Sequence, residues 1–111
     1  MRAGKRRHPI VIEKLAEPMQ SDDHNVQQET WQEFIQLWAE VSPLRGREYL
    51  EAQQIQSAIQ FRIRTPFIEG VNSKMRVRGL GHLDGRIFRI HSVLNPNERR
   101  SELELMCEEA A

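Results

Sequence analysis

The side chains that could do chemistry in this chain are few and scattered. Histidines stand at His8, His24, His82 and His91, and the single cysteine is Cys107. No two histidines are spaced i, i+4, and neither H-E-x-x-H nor C-x-x-C occurs. A metal site, which must draw several such ligands to one point, therefore has no pattern to build on. His82 and Asp84 form the one close histidine–carboxylate pair, but they sit in a glycine-rich tract with no nucleophile near them in sequence, and acid–base chemistry needs convergent partners. Gly79-Leu80-Gly81 lacks the Gly-Lys-Ser/Thr tail of a phosphate loop and no helical pattern follows it, so it reads as hairpin glycine. No G-x-S-x-G elbow is present. Cys107 alternates with Leu103 and Leu105 and reads as a small core residue. The expectation is a protein that is not an enzyme and binds no metal or cofactor.

Arginine is the residue type that does form a pattern. Arg62, Arg64, Lys74, Arg76 and Arg78 alternate with apolar residues on two segments read as adjacent strands, which would gather one basic face. A small barrel with such a face could bind nucleic acid in the manner of an OB-fold, but single-strand binders interleave aromatics with the cations so that bases can stack. Here Phe61 and Phe88 alternate inward, away from the arginines. Two uses of the basic face remain: contact with phosphates along a DNA passage, or pairing with acids of a neighbouring subunit, for which Glu48, Glu51, Glu102 and Glu104 are available.

The layout of charge is compatible with contact between copies but, taken alone, favours the plainer reading of strand faces that balance by chance. The net charge is zero over 111 residues, yet the signs come in blocks. Met1 to His8 carries +4, Pro9 to Ser57 −6, Ala58 to Ile90 +5, and His91 to Ala111 −3. Alternating blocks suit a head-to-tail contact that closes into a ring; the plainer reading is a set of solvated strand faces. Hydrophobic residues make up 39% of the chain and mean hydropathy is −0.63, so the core is thin or completed by neighbours. One cysteine excludes an intrachain disulfide. No apolar run approaches the roughly 18 residues of a membrane helix, and I-V-I after the basic start is too short for a signal segment. A single soluble, intracellular domain is expected over residues 1–111.

The elements that must position these residues are mostly strands. Ile10, Val11 and Ile12 form a short β-branched strand. Glu17 to Glu29 is polar and aperiodic and predicts a long loop over about 17–30. From Glu33 to Val41 the chain alternates, with Ile35, Leu37, Ala39 and Val41 on one face and Phe34 and Trp38 on the other; that second face is expected to be covered by the helix or by another subunit. Ser42-Pro43 ends the strand. Residues from about 45 to 58 show helical spacing through Tyr49, Ala52, Ile55 and Ile59, a weakly apolar stripe expected to pack on the sheet, since the helix alone would be marginal in water. Four further strands alternate through Ile59–Arg64, Lys74–Arg78, Ile87–His91 and Glu102–Cys107, with turns at Glu69-Gly70, Asp84-Gly85 and Asn95-Pro96-Asn97. The pattern predicts a mainly β fold: a small antiparallel β-barrel with one inserted α-helix and a long loop.

From Trp38 to Cys107 the order of motifs is W-A-E-V-S-P-L-R-G-R-E-Y-L-E, then R-I-R, K-M-R-V, D-G-R-I-F-R-I, N-P-N-E-R-R and E-L-E-L-M-C. With Arg2, Gly4, Ile12, Trp31, Trp38, Gly46, Glu48, Arg76, Asp84, Gly85 and Ile90 at matching positions, the chain resembles the head–tail joining proteins of tailed bacteriophages, also called head-closure or stopper proteins. The resemblance implies a dodecameric ring beneath portal and adaptor proteins, closing the capsid exit over packaged double-stranded DNA without sequence-specific binding and offering a platform to tail proteins. It places the protein in the virion neck, assembled in the host cytoplasm, from a phage, a prophage or a phage-derived particle. In some members the long loop reaches the central channel; here it is acidic and would repel DNA phosphates. On this reading Trp38, Glu48, Tyr49, Arg62, Arg64 and Arg76 are candidates for subunit contacts, and Asp22, Asp23 and His24 for the channel loop.

Overall fold

A computed structural model describes residues 8–16, 30–56, 58–96 and 101–110. Six antiparallel strands close into a barrel: β1 (His8–Leu15), β2 (Trp31–Pro43), β3 (Phe61–Pro66), β4 (Arg76–Gly79), β5 (Ile87–Leu94) and β6 (Glu102–Glu109), in the order β1-β2-β3-β6-β5-β4. One helix, α1 (Gly46–Ile55), lies between β2 and β3. The mainly β barrel with one inserted helix that the alternation predicts is the fold observed.

Alternation builds the interior directly. Ile10 and Ile12 of β1, Ile63 of β3, Val77 of β4, Phe88 and Ile90 of β5, and Leu103, Leu105 and Cys107 of β6 are all buried in one cluster, as period-two strands with one apolar face require. Phe88 is fully buried and meets Phe61 edge-on, with ring centroids 5.2 Å apart. The seam that closes the barrel pairs Ile10 with Gly79 and Glu13 with Arg76.

Several boundaries depart from the sequence reading, each for a local reason. β1 and β2 run longer than Ile10–Ile12 and Glu33–Val41 because each lends the other a hydrogen-bonding partner, from His8 opposite Ala39 to Leu15 opposite Trp31. Their register skips at Phe34, since Ile12 faces Ile35 while Glu13 faces Glu33. This bulge shifts the pleat, so Phe34 and Ile35 both pack against the interior. Trp38 stays outside, 58% exposed. The expected shared face of Phe34 and Trp38 therefore does not exist. A second skip at His91 in β5 lets Ile90 and Val93 both turn toward the core.

The helix is shorter than 45–58. Gln56 is extended, Ile59 N–H donates to the Gln56 carbonyl, and Gln53 Nε2 donates to the Ile59 carbonyl. These bonds turn the chain early and bury Ile59 beside Leu44 and Ala52, with Met106 packed against them. Asp84-Gly85 also differs in detail. Asp84 has φ −54° and ψ 134°, Gly85 has φ 85°, and Arg86 N–H donates to the Leu83 carbonyl, which is a type II turn with one positive φ. At Gly79 any side chain would overlap the Leu83 carbonyl oxygen, so glycine is required where that turn folds back on β4.

Replacing Phe88 by alanine should lower unfolding free energy by about 3–5 kcal/mol, whereas Ile55→Ala, at a position 85% exposed, should change it by less than about 0.5 kcal/mol. Urea unfolding of both variants checks the contrast.

Candidate assembly surface

Strand order decides what the arginines can do. β3 and β4 are not neighbours: β6 and β5 separate them on one side, and β2 and β1 on the other. Arg62 and Arg64 thus lie on one side of the barrel, and Lys74, Arg76 and Arg78 on another. The continuous basic face expected from the sequence is not formed, because the strand after β3 in the sheet is β6 and not β4. What replaces it is a set of local pairs. Arg62 Nη1 donates to Glu48 of α1 at 2.8 Å, and Arg64 Nε to Glu104 of β6 at 3.2 Å. Arg76 and Arg78 both donate to Glu13, at 2.9 and 3.1 Å.

Glu13 is the centre of the tightest of these groups. It is 7% exposed, and two guanidinium groups across the seam supply the hydrogen bonds and opposite charge that a carboxylate so far from water needs. Arg76 also lies over the Trp31 ring, 4.2 Å from its centroid, which adds a cation–π contact. At the other end of the barrel Arg86 forks onto Glu109 with two 2.8 Å hydrogen bonds and lies 5.2 Å from the Phe88 centroid. The hydrogen bonds from Arg86 hold the Glu109 carboxyl below the usual carboxylate range, and the same bonds raise Arg86 further. His91 Nε2 lies 3.2 Å from Glu108. Burial pushes the Cys107 thiol well up, so it stays protonated in the core. Among the described residues no three His, Cys, Asp or Glu side chains cluster as a metal site would require.

Large apolar groups remain outside. The helical stripe expected to face the sheet was Tyr49, Ala52, Ile55 and Ile59; of the three that lie on α1, only Ala52 is buried. Ile55 is 85% exposed, Leu50 63%, and Tyr49 is also exposed. The helix seats itself through a residue with a single methyl, because Leu44 and Ile59, flanking the helix in sequence, supply the contacts the stripe was assigned. Of the candidate contact residues, Trp38 and Tyr49 are exposed, Glu48 and Arg62 join α1 to β3, and Arg64 and Arg76 pair within the barrel. Leu50 was not singled out from the sequence, although its position beside Tyr49 on a weakly apolar helix was the available signal. Asp22, Asp23, His24 and the loop over about 17–30 lie outside the described residues, save Thr30, whose carbonyl accepts from Ala16 N–H at 2.8 Å.

A family model described as phage head completion protein matches residues 1–110. Head completion protein gp16 of Bacillus phage SPP1 is 33% identical over 69 residues, 62% of this chain and 63% of that protein. The solution structure of a protein from Shigella flexneri 2a superposes with a TM-score of 0.77 at 28% identity, covering 100% of this chain and 98% of the other.

Glu13→Ala leaves two guanidinium groups without their acceptor and should cost about 2–3 kcal/mol. Arg47→Ala removes an exposed i, i+4 pair with Glu51 and should cost no more than about 0.5 kcal/mol. Denaturant titration of each variant measures the difference. The depressed Glu109 acid makes stability that is present above the unfolded carboxyl pKa of about 4.3 and lost as pH falls through the lower folded value. Glu109→Gln should flatten that part of the stability–pH curve, measured by thermal melting from neutral to acid pH.

Proposed function

This chain belongs to the phage head completion protein family, and on that premise we propose that it is a structural head-closure piece of a tailed-phage or prophage-derived neck. In this reading copies form a ring, dodecameric on the virion, between portal and adaptor proteins on one side and tail proteins on the other. The ring retains packaged double-stranded DNA without reading its sequence, and it assembles in the host cytoplasm. The observation that carries the proposal is the apolar surface that the barrel does not use. Tyr49, Leu50 and Ile55 on α1, with Trp38 on β2, are exposed on a chain whose interior is already closed. Exposed aromatic and aliphatic groups of this kind are the usual anchors of protein contacts.

One further feature supports contact at the α1–β3 junction. Glu48, the partner of Arg62, remains largely exposed and can serve a second cation. Against the OB-like nucleic-acid reading stand the separation of the two arginine groups and their internal pairing. A cation already bound to a carboxylate releases fewer counterions on meeting a phosphate, so DNA affinity and its salt dependence should be small.

Leu50→Asp and Trp38→Glu should leave the thermal melt of the isolated protein within a few degrees of the parent while reducing incorporation into particles assembled with portal and adaptor proteins. Electron microscopy and protein quantitation of the particles check this. Normal incorporation of both variants would overturn the proposed contact surface.

A further inference from the structure

β4 begins only at Arg76, and its pairing with β5 stops at Arg89. Among the described residues, 90–94 of β5 therefore have β6 as their one strand neighbour. Where β4 begins, a groove of about 680 Å³ lies across the outer face of β5 and reaches this edge at Ile90 and His91, with Glu108 of β6 as an acid in its lining. Met75 and Ile90, both part of the buried core, line it. Around them stand Trp31, Lys74, Arg76 and Arg89.

We infer that this groove is a docking site for an acidic, extended polypeptide segment of a neighbouring chain, taken up as an added strand beside β5. Three properties of the groove converge on that occupant. A strand edge offers unpaired backbone groups, and β-strand addition is how an extended peptide satisfies them. An added strand would point alternate side chains inward and outward. The inward ones meet the apolar Met75 and Ile90; the outward ones meet the cations.

Those cations are short of counter-charge. Arg76 and Arg89 face each other directly across β4 and β5, and like charges so placed are destabilising. Glu13 neutralises Arg76. On its other side Arg89 faces Glu108, whose carboxylate is engaged by His91. Among the described residues neither Lys74 nor Arg89 makes an ion pair. Duplex DNA would satisfy the charge but not the rest. Its phosphates have no use for an apolar floor, and it carries no backbone amides to complete a β ladder.

The inference concerns a binary contact of the isolated chain, so its test stands apart from whether rings form. A fluorescent synthetic peptide that alternates glutamate with valine is titrated against the full chain at physiological salt, followed by anisotropy. Two-dimensional NMR monitors the amides of His91 to Leu94. Expected are saturable binding, shifts and slowed hydrogen exchange at those amides, and affinity about tenfold weaker, equivalent to about 1.4 kcal/mol, for Arg89→Glu and for Lys74→Glu. Both positions are exposed, and an unchanged spectrum outside the groove shows that each variant is folded. A lysine–valine peptide should not bind. Absence of binding by the acidic peptide, binding undiminished in both variants, or shifts confined to another face overturns the inference. So does displacement of the peptide by a short DNA duplex whose own binding is lost with the same substitutions, since that assigns the groove to phosphates.

Discussion

The barrel depends on its closing seam, where Ile10 to Glu13 of β1 meet Arg76 to Gly79 of β4. β4 is only four residues long, and without this junction the sheet would have two free edges and an interior open to water. The seam combines three different forces. Ile10, Ile12 and Val77 bury themselves inward, backbone pairing runs along the middle, and Glu13 ties Arg76 and Arg78 on the outside at 2.9 and 3.1 Å. Gly79 is part of the same arrangement, since the turn after β4 leaves no space for a side chain there. A carboxylate as buried as Glu13 is costly alone, and its two arginine partners offset that cost.

Closure changes what the remaining surface means. With the core satisfied, Trp38, Leu50 and Ile55 stay largely outside it, and the apolar seat of α1 is Ala52 with Leu44 and Ile59 beside it. A short helix of ten residues gains little stability from its own backbone. It is held instead by the early turn at Gln56 and by the Glu48–Arg62 pair. The most apolar exposed group therefore sits on the most lightly attached element, which suits a contact completed by another protein.

Much of the fold was legible because strands with one buried face write their period into the sequence. The inward residues of β3, β4, β5 and β6 can be read off one by one, and Cys107 fell where its alternation with Leu103 and Leu105 put it. Four things were not legible. Bulges at Phe34 and His91 depend on which residue faces which across strands, and nothing within a single strand marks the skip. Strand order is equally non-local: Arg62 and Arg76 belong to consecutive strands in sequence but to opposite parts of the barrel, and the supposed basic face came from assuming that sequence neighbours pair. The helix misled by its spacing. Tyr49, Ala52 and Ile55 do share a helical stripe, but an amphipathic stripe does not say whether it faces its own chain or another. The groove beside β5 could not be anticipated at all, since it arises where β5 runs on past the first residue of β4.

Hydrogen–deuterium exchange on the isolated chain and on the same chain in assembled particles tests the central claim, a self-sufficient barrel carrying an apolar helix for others to cover. Amides of Ile10 to Glu13 and of Val77 to Gly79 should be protected equally in both states, while those of α1 should exchange fast in the isolated chain and slowly in particles. Equal protection of α1 in the two states, or a seam that exchanges freely until assembly, would contradict it.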